Sequence, residues 1–382
     1  LLQQAVDSRL ISDVPLGAFL SGGIDSSAIV AMMARSSKNV NTFTIDFAEK
    51  TFSELEDARS VSRHCATNHK ILKVSTDSVA ILPQIAWHFD EPFADSSAIP
   101  TYYVSKIARE HVTVILSGDG GDELFAGYRN YFNRDRYNLL FALPYSLRKN
   151  ILGAVAALLP IHAPMRNMLK YIASTAQDNG QGAPGFYPYI KEDLLSRPLL
   201  REFRTMDPLL SRRDLVAQYM EHDKLTRMQL VDLHHYLPGD ILVKVDRMSM
   251  ANSLETRAPL LDYRMVEFAT ALPVSHKMKD GVSKYILKQV LRKYVPEHIL
   301  TKAKQGFAIP ISKWFQGSLN GYVKEMLLDE RSRARGIFKP HVVENVLELH
   351  TKGRRDFGEW IYMLLMLELW FQTFMDSQTR RI

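Results

Sequence analysis

The eight residues Leu20-Ser21-Gly22-Gly23-Ile24-Asp25-Ser26-Ser27 constrain this chain more than any other stretch. The apolar run Val14 to Leu20 has the character of a strand buried on both faces, and Ser26 to Met33, with Ala28, Ile29, Ala31 and Met32, that of a helix. The loop between them therefore joins a strand to a helix N-terminus. Adjacent glycines let the backbone adopt φ > 0 and approach a bound group, so that successive N–H groups converge near the positive end of the helix dipole. Phosphate is the natural guest of such a concavity. A tight turn capped by Ser or Asp would account for a bare Gly-Gly. It does not account for the hydroxyls of Ser21, Ser26 and Ser27 and the Asp25 carboxylate gathered around these glycines. A carboxylate beside a phosphate cradle repels phosphate unless a hard cation lies between them, so Asp25 implies Mg²⁺.

The first ~130 residues repeat this strand-to-helix alternation, which predicts a mostly parallel sheet with helices on both faces. Val40 to Phe47 alternates as a second strand, and Ser53 with Glu56 reads as a capping box for a helix that puts Leu55, Ala58, Val61 and Cys65 on one face. His69 to Val74 reads as a third strand, Val79 to Phe89 as a helix, and Pro100 to Glu110 as another with proline in its first turn. Val112 to Leu116 is a fourth strand. It runs into a second glycine-rich stretch, Ser117-Gly118-Asp119-Gly120-Gly121-Asp122-Glu123-Leu124-Phe125-Ala126-Gly127-Tyr128. Ligands of open parallel sheets gather at the carboxyl ends of the strands, so both loops are expected to face one crevice and share one ligand.

After Tyr131 helical periodicity dominates, and Gln177 to Pro188, rich in Gly and Pro, reads as a loop. The length of 382 residues exceeds what one core usually holds. We expect an α/β region over 1–135 and a mainly helical region over 136–382. Net charge of +6 on so long a chain suits a polyanionic small substrate, and without a Lys/Arg block it does not favour nucleic acid. The single cysteine, Cys65, excludes an internal disulfide, a multi-cysteine zinc site and paired-thiol chemistry, and its place on an apolar helix face makes it core. Trp360 to Phe371 is short and interrupted by Glu368, so it reads as a buried C-terminal helix and not a membrane span. A cytoplasmic protein is expected.

Asp119, Asp122 and Glu123 would be a solvated, helix-capping turn if they stood alone. With Asp25 at a neighbouring strand end they become a bed for Mg²⁺ and a polyphosphate. In Phe89 to Ser97, Asp95, Ser96 or Ser97 is read as the cap of the following helix. Asp90 and Glu91 are weaker candidates, for an ammonium group. Between Asp240 and Asp262 the charges of Lys244, Asp246, Arg247, Glu255, Arg257 and Asp262 stand among apolar residues, where charge is costly unless paired. Structural ion pairing between the domains is the default for most of them, with Glu255 kept as a catalytic candidate. Lys284 and Lys304 are candidates to reach a triphosphate or a developing negative charge.

The pair Ser21-Gly22-Gly23-Ile24-Asp25-Ser26-Ser27 and Ser117 to Tyr128 closely resembles the synthetase domain of glutamine-dependent asparagine synthetases, and Val245-Asp246-Arg247-Met248-Ser249-Met250 and Arg257-Ala258-Pro259-Leu260-Leu261-Asp262 fit as well. The first motif alone marks the wider pyrophosphate-loop ATPases. The second, in this order, is far more specific. The resemblance covers nearly the whole chain. It implies a doubly wound sheet of the adenine nucleotide alpha hydrolase type and an adenylating ligase. ATP would be held by Ser21, Gly22, Gly23, Asp25, Ser26 and Ser27 at its β- and γ-phosphates and by Leu20, Ile45, Ser117 and Gly118 at adenine and ribose, with Mg²⁺ bridging Asp25 and Asp122. Asp119 would take part in forming the acyl-adenylate, Lys284 would stabilise charge developing in the reaction, and Lys304 is the runner-up. Aspartate, ATP and ammonia would be the substrates.

Members of that family carry an N-terminal glutaminase domain with a nucleophilic first cysteine. This chain starts at Leu1 without such a domain, a signal-peptide pattern or an initiator Met. The expectation is a C-terminal piece of a longer enzyme, using free ammonia as it stands, with no nucleic acid or membrane partner and with a homodimer left open. The alternatives are a relative of β-lactam synthetase or peptide cyclase type acting on another carboxylate, a tRNA-modifying adenylating ligase, or a nucleotide-binding module without catalysis.

Overall fold

A computed structural model of the chain describes residues 1–47, 49, 51–74, 76–131, 140, 142–163, 165–174, 188–203, 206, 209–302 and 309–376. Of the loop read at 177–188, residues 177–187 lie outside the described residues, as does the candidate Lys304, and Pro188 starts a helix. The chain divides into two compact units. The first comprises Leu1–Phe89, Asp95–Phe132 and Tyr219–Ile309; the second comprises Asp90–Ala94, Asn133–Gln218 and Pro310–Ile382.

The first unit is built on five parallel strands in the order β3-β2-β1-β4-β5, namely β1 (Leu16–Phe19), β2 (Asn41–Phe47), β3 (Asn68–Val74), β4 (Val114–Leu116) and β5 (Glu255–Arg257). With its surrounding helices it is the doubly wound α/β fold that the alternation predicted. Strand β1 starts later than the apolar run suggested, because Pro15 has no N–H for the ladder and can only accept, its carbonyl bonding the N–H of Thr113 at 2.9 Å. Strand β4 is shorter for a similar reason: the N–H of Val112 is taken by Ala108 at the end of the preceding helix.

Helices α1 (Leu2–Asp7), α2 (Ile24–Ser36), α3 (Leu55–Cys65), α4 (Leu82–Phe89) and α5 (Ala98–Arg109) supply the cover. In α2 every residue from Ser26 to Met33 is buried, as a helix between a sheet and an outer layer must be. Each of its large side chains, Ile29 and Met33 among them, contributes about 1.5–3 kcal/mol by leaving water. The capping box at α3 does not form. Ser53 Oγ accepts the N–H of Leu55 at 3.3 Å and donates to Asp46 at 2.6 Å, while Glu56 turns to Arg59 at 2.8 Å. Cys65 packs half-buried against the core, and burial pushes its thiol up to about 11.

The segment 219–309, read from sequence as part of the helical region, packs within the first unit and gives the sheet its fifth strand. A helix over Lys224–Val231 runs into a π-helical stretch, Asp232–Ile241, which contains Pro238, and continues as the α-helix Leu242–Met250. Proline lacks the N–H that an α-helix would require there, and the wider winding accommodates it. Of the charges read in this segment, Lys244, Glu255, Arg257 and Asp262 pair inside the unit. Lys244 meets Asp95, Arg257 meets Glu255, and Asp262 meets Arg9 and Arg264. Arg257 also donates to the carbonyls of Arg9 and Ile11, both at 2.8 Å, so the Arg-Ala-Pro-Leu-Leu-Asp stretch ties the start of the chain to the sheet edge.

The second unit is helical among the described residues, apart from one bridge between Leu195 and Phe338. Its C-terminal helix, Gly358–Trp370, is buried along Ile361, Tyr362, Leu364, Leu365, Met366 and Leu369. Glu368 is tolerated in that surface because Arg335 grips it through two nitrogens at 2.7 and 2.9 Å. No described helix is long and apolar enough to cross a membrane. Asp90 and Glu91 belong to this unit and are exposed.

Candidate active site

The strand order dictates where a ligand can bind. From β1 the chain winds outward through β2 and β3, then returns to place β4 on the other side of β1. The helices after β1 and β4 thus leave in opposite directions, and the carboxyl ends of these two strands open a crevice at the switch point. Both glycine-rich loops begin there.

In the first loop Gly22 has φ +77, and Gly23 is the residue from which α2 starts. A Cβ on Gly22 would lie 2.6 Å from Asp57 Cβ and 2.7 Å from the Ala58 nitrogen, so only glycine lets the loop pass over the start of α3. Ser26 Oγ accepts the N–H of Ser21 at 3.2 Å and also contacts Ser21 Oγ at 3.1 Å. The loop is closed on itself and the N-terminus of α2 points out of it. Leu20 and Ile45 are buried at the ends of β1 and β2, and the Leu20 carbonyl accepts the Thr44 hydroxyl.

The second loop lies against the first. A Cβ on Gly118 would sit 2.8 Å from the Ser26 nitrogen, and one on Gly121 would fall inside the Asp25 carboxylate. Gly120, with φ +91, starts the short helix α6 (Gly121–Leu124), which carries Asp122 and Glu123 into the interior. Ser117 is bonded through its N–H to the Arg257 carbonyl at 2.9 Å. Its hydroxyl oxygen and that of Ser27 are buried with no hydrogen-bond partner.

Asp25 and Asp122 converge on one side chain. Lys284 Nζ is ion-paired to Asp25 and, at 2.6 Å, to Asp122. Lys284 is 3% exposed. Burial alone would push its ammonium down; the charges of Asp122 and Asp25 outweigh this and hold it above the ordinary lysine value. Gly127 makes the room, since a Cβ there would overlap both Asp122 and the Lys284 stem.

Around α6 lies a polar network that joins motif residues Glu123 and Tyr128 to Gln229, Asp232, Tyr236 and Lys277, which the sequence reading did not single out. Burial pushes the Glu123 carboxyl up to about 7; the Tyr128 hydroxyl, donating to it at 2.6 Å, opposes this, and the charges of Asp122 and Asp119 add to it. Tyr128 packs edge-on against Tyr131 and Tyr236, and Tyr131 donates to Asp232 at 2.8 Å. Gln229 holds the carbonyls of Glu123 and Leu124 at 2.6 and 3.0 Å, and accepts from the buried Lys277 at 3.2 Å. Lys244 donates to Asp95 at 2.5 Å, and Asp95 takes both the N–H and the hydroxyl of Ser97. Burial, then the Asp95 charge, pushes the neighbouring Asp240 up to about 6. The missed signal is the four-residue spacing of Asp232, Tyr236, Asp240 and Lys244, a polar stripe along one helix in an apolar setting. A second missed feature backs the first loop, where Lys302 pairs with Glu54 at 2.8 Å and Asp57 at 2.7 Å.

Of the sequence candidates, Asp25, Asp122 and Lys284 are therefore brought into contact, and Gly118 and Ser117 stand beside the first loop. Asp119 is half-buried, and its charge acts on Glu123 and Lys244. Glu255 is not part of this group. It sits at the opposite, N-terminal end of β5, opposite Val114, with its side chain 55% exposed and paired to Arg257 at 2.6 Å.

The residues suit a nucleotide and a hard divalent cation on three counts. Buried hydroxyls without partners border the cradle. The glycines let the two loops and α2 pack so closely that the α2 N-terminus and both acids stand together. The two converging acids offer oxygen donors from two different strand ends. Among the described residues no group of three or more His, Cys, Asp or Glu could enclose a metal by itself. Two carboxylates without a full protein cage match Mg²⁺, which keeps water and takes its remaining ligands from phosphate.

Comparison with known proteins gives the following. The profile of the Asparagine synthase family matches residues 1–372. The chain is 35% identical over 374 residues to asparagine synthetase [glutamine-hydrolyzing] 1 of Bacillus subtilis, covering 97% of the chain and 58% of that protein. It is 34% identical over 390 residues to a putative asparagine synthetase [glutamine-hydrolyzing] of Mycobacterium tuberculosis, covering 98% of the chain and 57% of that protein. With a putative asparagine synthetase [glutamine-hydrolyzing] 2 of Methanocaldococcus jannaschii the identity is 37% over 261 residues, 65% of the chain and 48% of that protein. The chain thus spans about half the length of these relatives.

Proposed function

The chain belongs to the asparagine synthase family, and from that premise we propose that it is an AMP-forming ligase which activates the side-chain carboxylate of aspartate with ATP and lets ammonia displace AMP, giving asparagine and pyrophosphate. The observation that carries this reading is the convergence of Asp25 and Asp122 at two adjacent strand ends, beside the N-terminus of α2.

The roles follow from charge and position. The N–H groups of Ser21 to Ser27 and the N-terminus of α2 hold the β- and γ-phosphates, the pair that leaves. Gripping the leaving pyrophosphate, and not the α-phosphate, keeps the α-phosphorus open to in-line attack. Leu20, Ile45, Ser117 and Gly118 border adenine and ribose, with the orphaned Ser117 and Ser27 hydroxyls available as donors or acceptors. Asp25 and Asp122 would hold Mg²⁺, which would supply charge neutralisation for the departing pyrophosphate. Lys284, paired with both acids, is the candidate to stabilise charge at the α-phosphate, with Lys304 a second candidate. Asp119, half-buried at the lip of the second loop, faces the acyl group. In a cytoplasmic enzyme of this kind, a glutaminase domain elsewhere on the whole protein would supply the ammonia.

The test is an assay with ATP, Mg²⁺, ammonium and a panel of carboxylic acids. AMP and an amide are expected with aspartate alone. ADP as product would sink the adenylation scheme, and amide formation with a different acid would keep the reaction class and replace the substrate.

A further inference from the structure

The first loop posed a problem of charge: a carboxylate beside a phosphate cradle demands a cation. The protein supplies one itself, since a single buried ammonium touches both Asp25 and Asp122. We propose that Lys284 and the divalent cation exchange places, so that the metal site forms only when nucleotide phosphates draw the Lys284 ammonium off the two carboxylates. This rests on the reading that Asp25 and Asp122 hold Mg²⁺.

Three observations carry the exchange. The first is steric: Mg²⁺ needs carboxylate oxygens at about 2.0–2.1 Å, whereas Lys284 Nζ already stands 2.6 Å from Asp122 and in contact with Asp25. Both cations cannot be seated on the same oxygens. The second is the charge count. Two carboxylates and one ammonium leave one negative charge, two carboxylates and Mg²⁺ are neutral, and the displaced ammonium then needs an anion of its own. In this crevice the cradled phosphates are that anion. The third is mechanical. The Lys284 main chain is pinned, its N–H bonded to Phe125 at 3.0 Å and its carbonyl accepting from Lys288 at 2.9 Å. Only the four-carbon stem can swing, and it lies directly against Gly127, where any side chain would block it.

The consequence is linkage. Metal and nucleotide each remove an obstacle to the other, and the coupling must be reciprocal. A metal ion meeting the empty protein competes with a resident cation that carries full charge. A nucleotide arriving without metal can recruit Lys284 only by leaving two buried carboxylates uncompensated. The enzyme would therefore assemble its two-cation arrangement, metal on the acids and ammonium on the phosphates, only around the metal–nucleotide complex.

The test reads metal binding and not turnover. Mn²⁺ binding is followed by the electron paramagnetic resonance of the free ion, on the whole chain, without nucleotide and with a non-hydrolysable ATP analogue. The Lys284→Met protein is expected to bind Mn²⁺ without nucleotide more tightly than the wild type, by on the order of 10- to 100-fold. Equal nucleotide-free affinity in the two proteins overturns the exchange. Should the variant fail to fold, the wild type decides alone: Mn²⁺ bound as tightly without the analogue as with it also overturns the exchange. Asp122→Asn separates the two readings. If it leaves Mn²⁺ binding with the analogue unchanged, the metal site itself is misassigned, whatever Lys284 does.

Discussion

The loop leaving β1 and the loop leaving β4 share a glycine framework and differ in what it carries. In the first, the hydroxyls of Ser21 and Ser26 close on one another and on the main chain, and Asp25 is the sole charge between Leu20 and Ser27. In the second, Asp122 and Glu123 are drawn inward on a helix of a single turn with Asp119 half-buried before it, and the surroundings work to hold them: Lys284 on Asp122, Tyr128 on Glu123, Gln229 on the carbonyls. One loop is an instrument of backbone geometry and the other of buried charge. They meet where Gly121 lies against the Asp25 carboxylate, so at that contact added volume and altered charge should each disable both.

The largest effect is expected where both kinds meet. Asp25→Asn or Asp122→Asn removes one of the two acids proposed for the metal while keeping the shape of the side chain. ATP/pyrophosphate exchange should fall by about 10²–10³-fold or more, comparable to losing a preorganised electrostatic group, with circular dichroism unchanged. Exchange near the wild-type rate in either variant would remove that acid from the metal site. Next comes volume. Gly121→Ala places a methyl inside the Asp25 carboxylate, and overpacking of this kind costs about 1–3 kcal/mol. Both exchange and thermal stability should drop. A Gly121→Ala protein with wild-type exchange would show that the two loops need not touch.

That contact between loops marks where the sequence stops being informative. The glycines, the strand before each loop and the helix after the first are all local patterns, and Ser26 to Met33 reads as a buried helix from its side chains alone. The meeting of Lys284 with Asp25 joins residues 259 positions apart, and no periodicity reports it. Strand β5 is only three residues long, too short to be recognised as a strand, yet it brings the segment 219–309 to the sheet and with it the tyrosine network. The π-helical stretch is hidden for another reason. Its Pro238 and Gly239 look like a helix end, and only the packing of Tyr236 against Tyr128 shows the helix continuing.

A smaller effect sharpens the account of the second loop's surroundings. Burial, reinforced by Asp95 and opposed by Lys244, raises Asp240 to about 6 from an ordinary 3.8. An acid whose folded-state pKa is raised is favoured in its protonated form, so the folded state binds more protons than the unfolded one between those values. Its contribution to stability is intact below the ordinary value and is lost as pH rises through about 6. Asp240→Asn cannot ionise. Its stability relative to wild type should therefore climb with pH across that window, by about 2 kcal/mol after allowing for the partial exposure of the site. Parallel denaturation curves at several pH values measure this, and a difference that stays flat would mean that Asp240 is solvated and unstrained.

The smallest effect belongs to the one candidate that the sheet places away from both loops. Glu255 lies at the N-terminal end of the short edge strand β5, whose neighbour β4 delivers Ser117 and Asp122 from its other end. Its partner, Arg257, is two residues away on the same strand and is held independently by two carbonyls of the N-terminal segment. Exposed pairs of this sort are worth about 0–1 kcal/mol, and Arg257 keeps its main-chain anchors when the pair is lost. Glu255→Gln should accordingly leave exchange, amide formation and their pH profiles at wild-type values. A tenfold loss of exchange in that variant would contradict the placement of the chemistry at the carboxyl ends of β1 and β4, because Glu255 pairs with Val114 at the opposite end of β4 and its carboxylate is turned to Arg257.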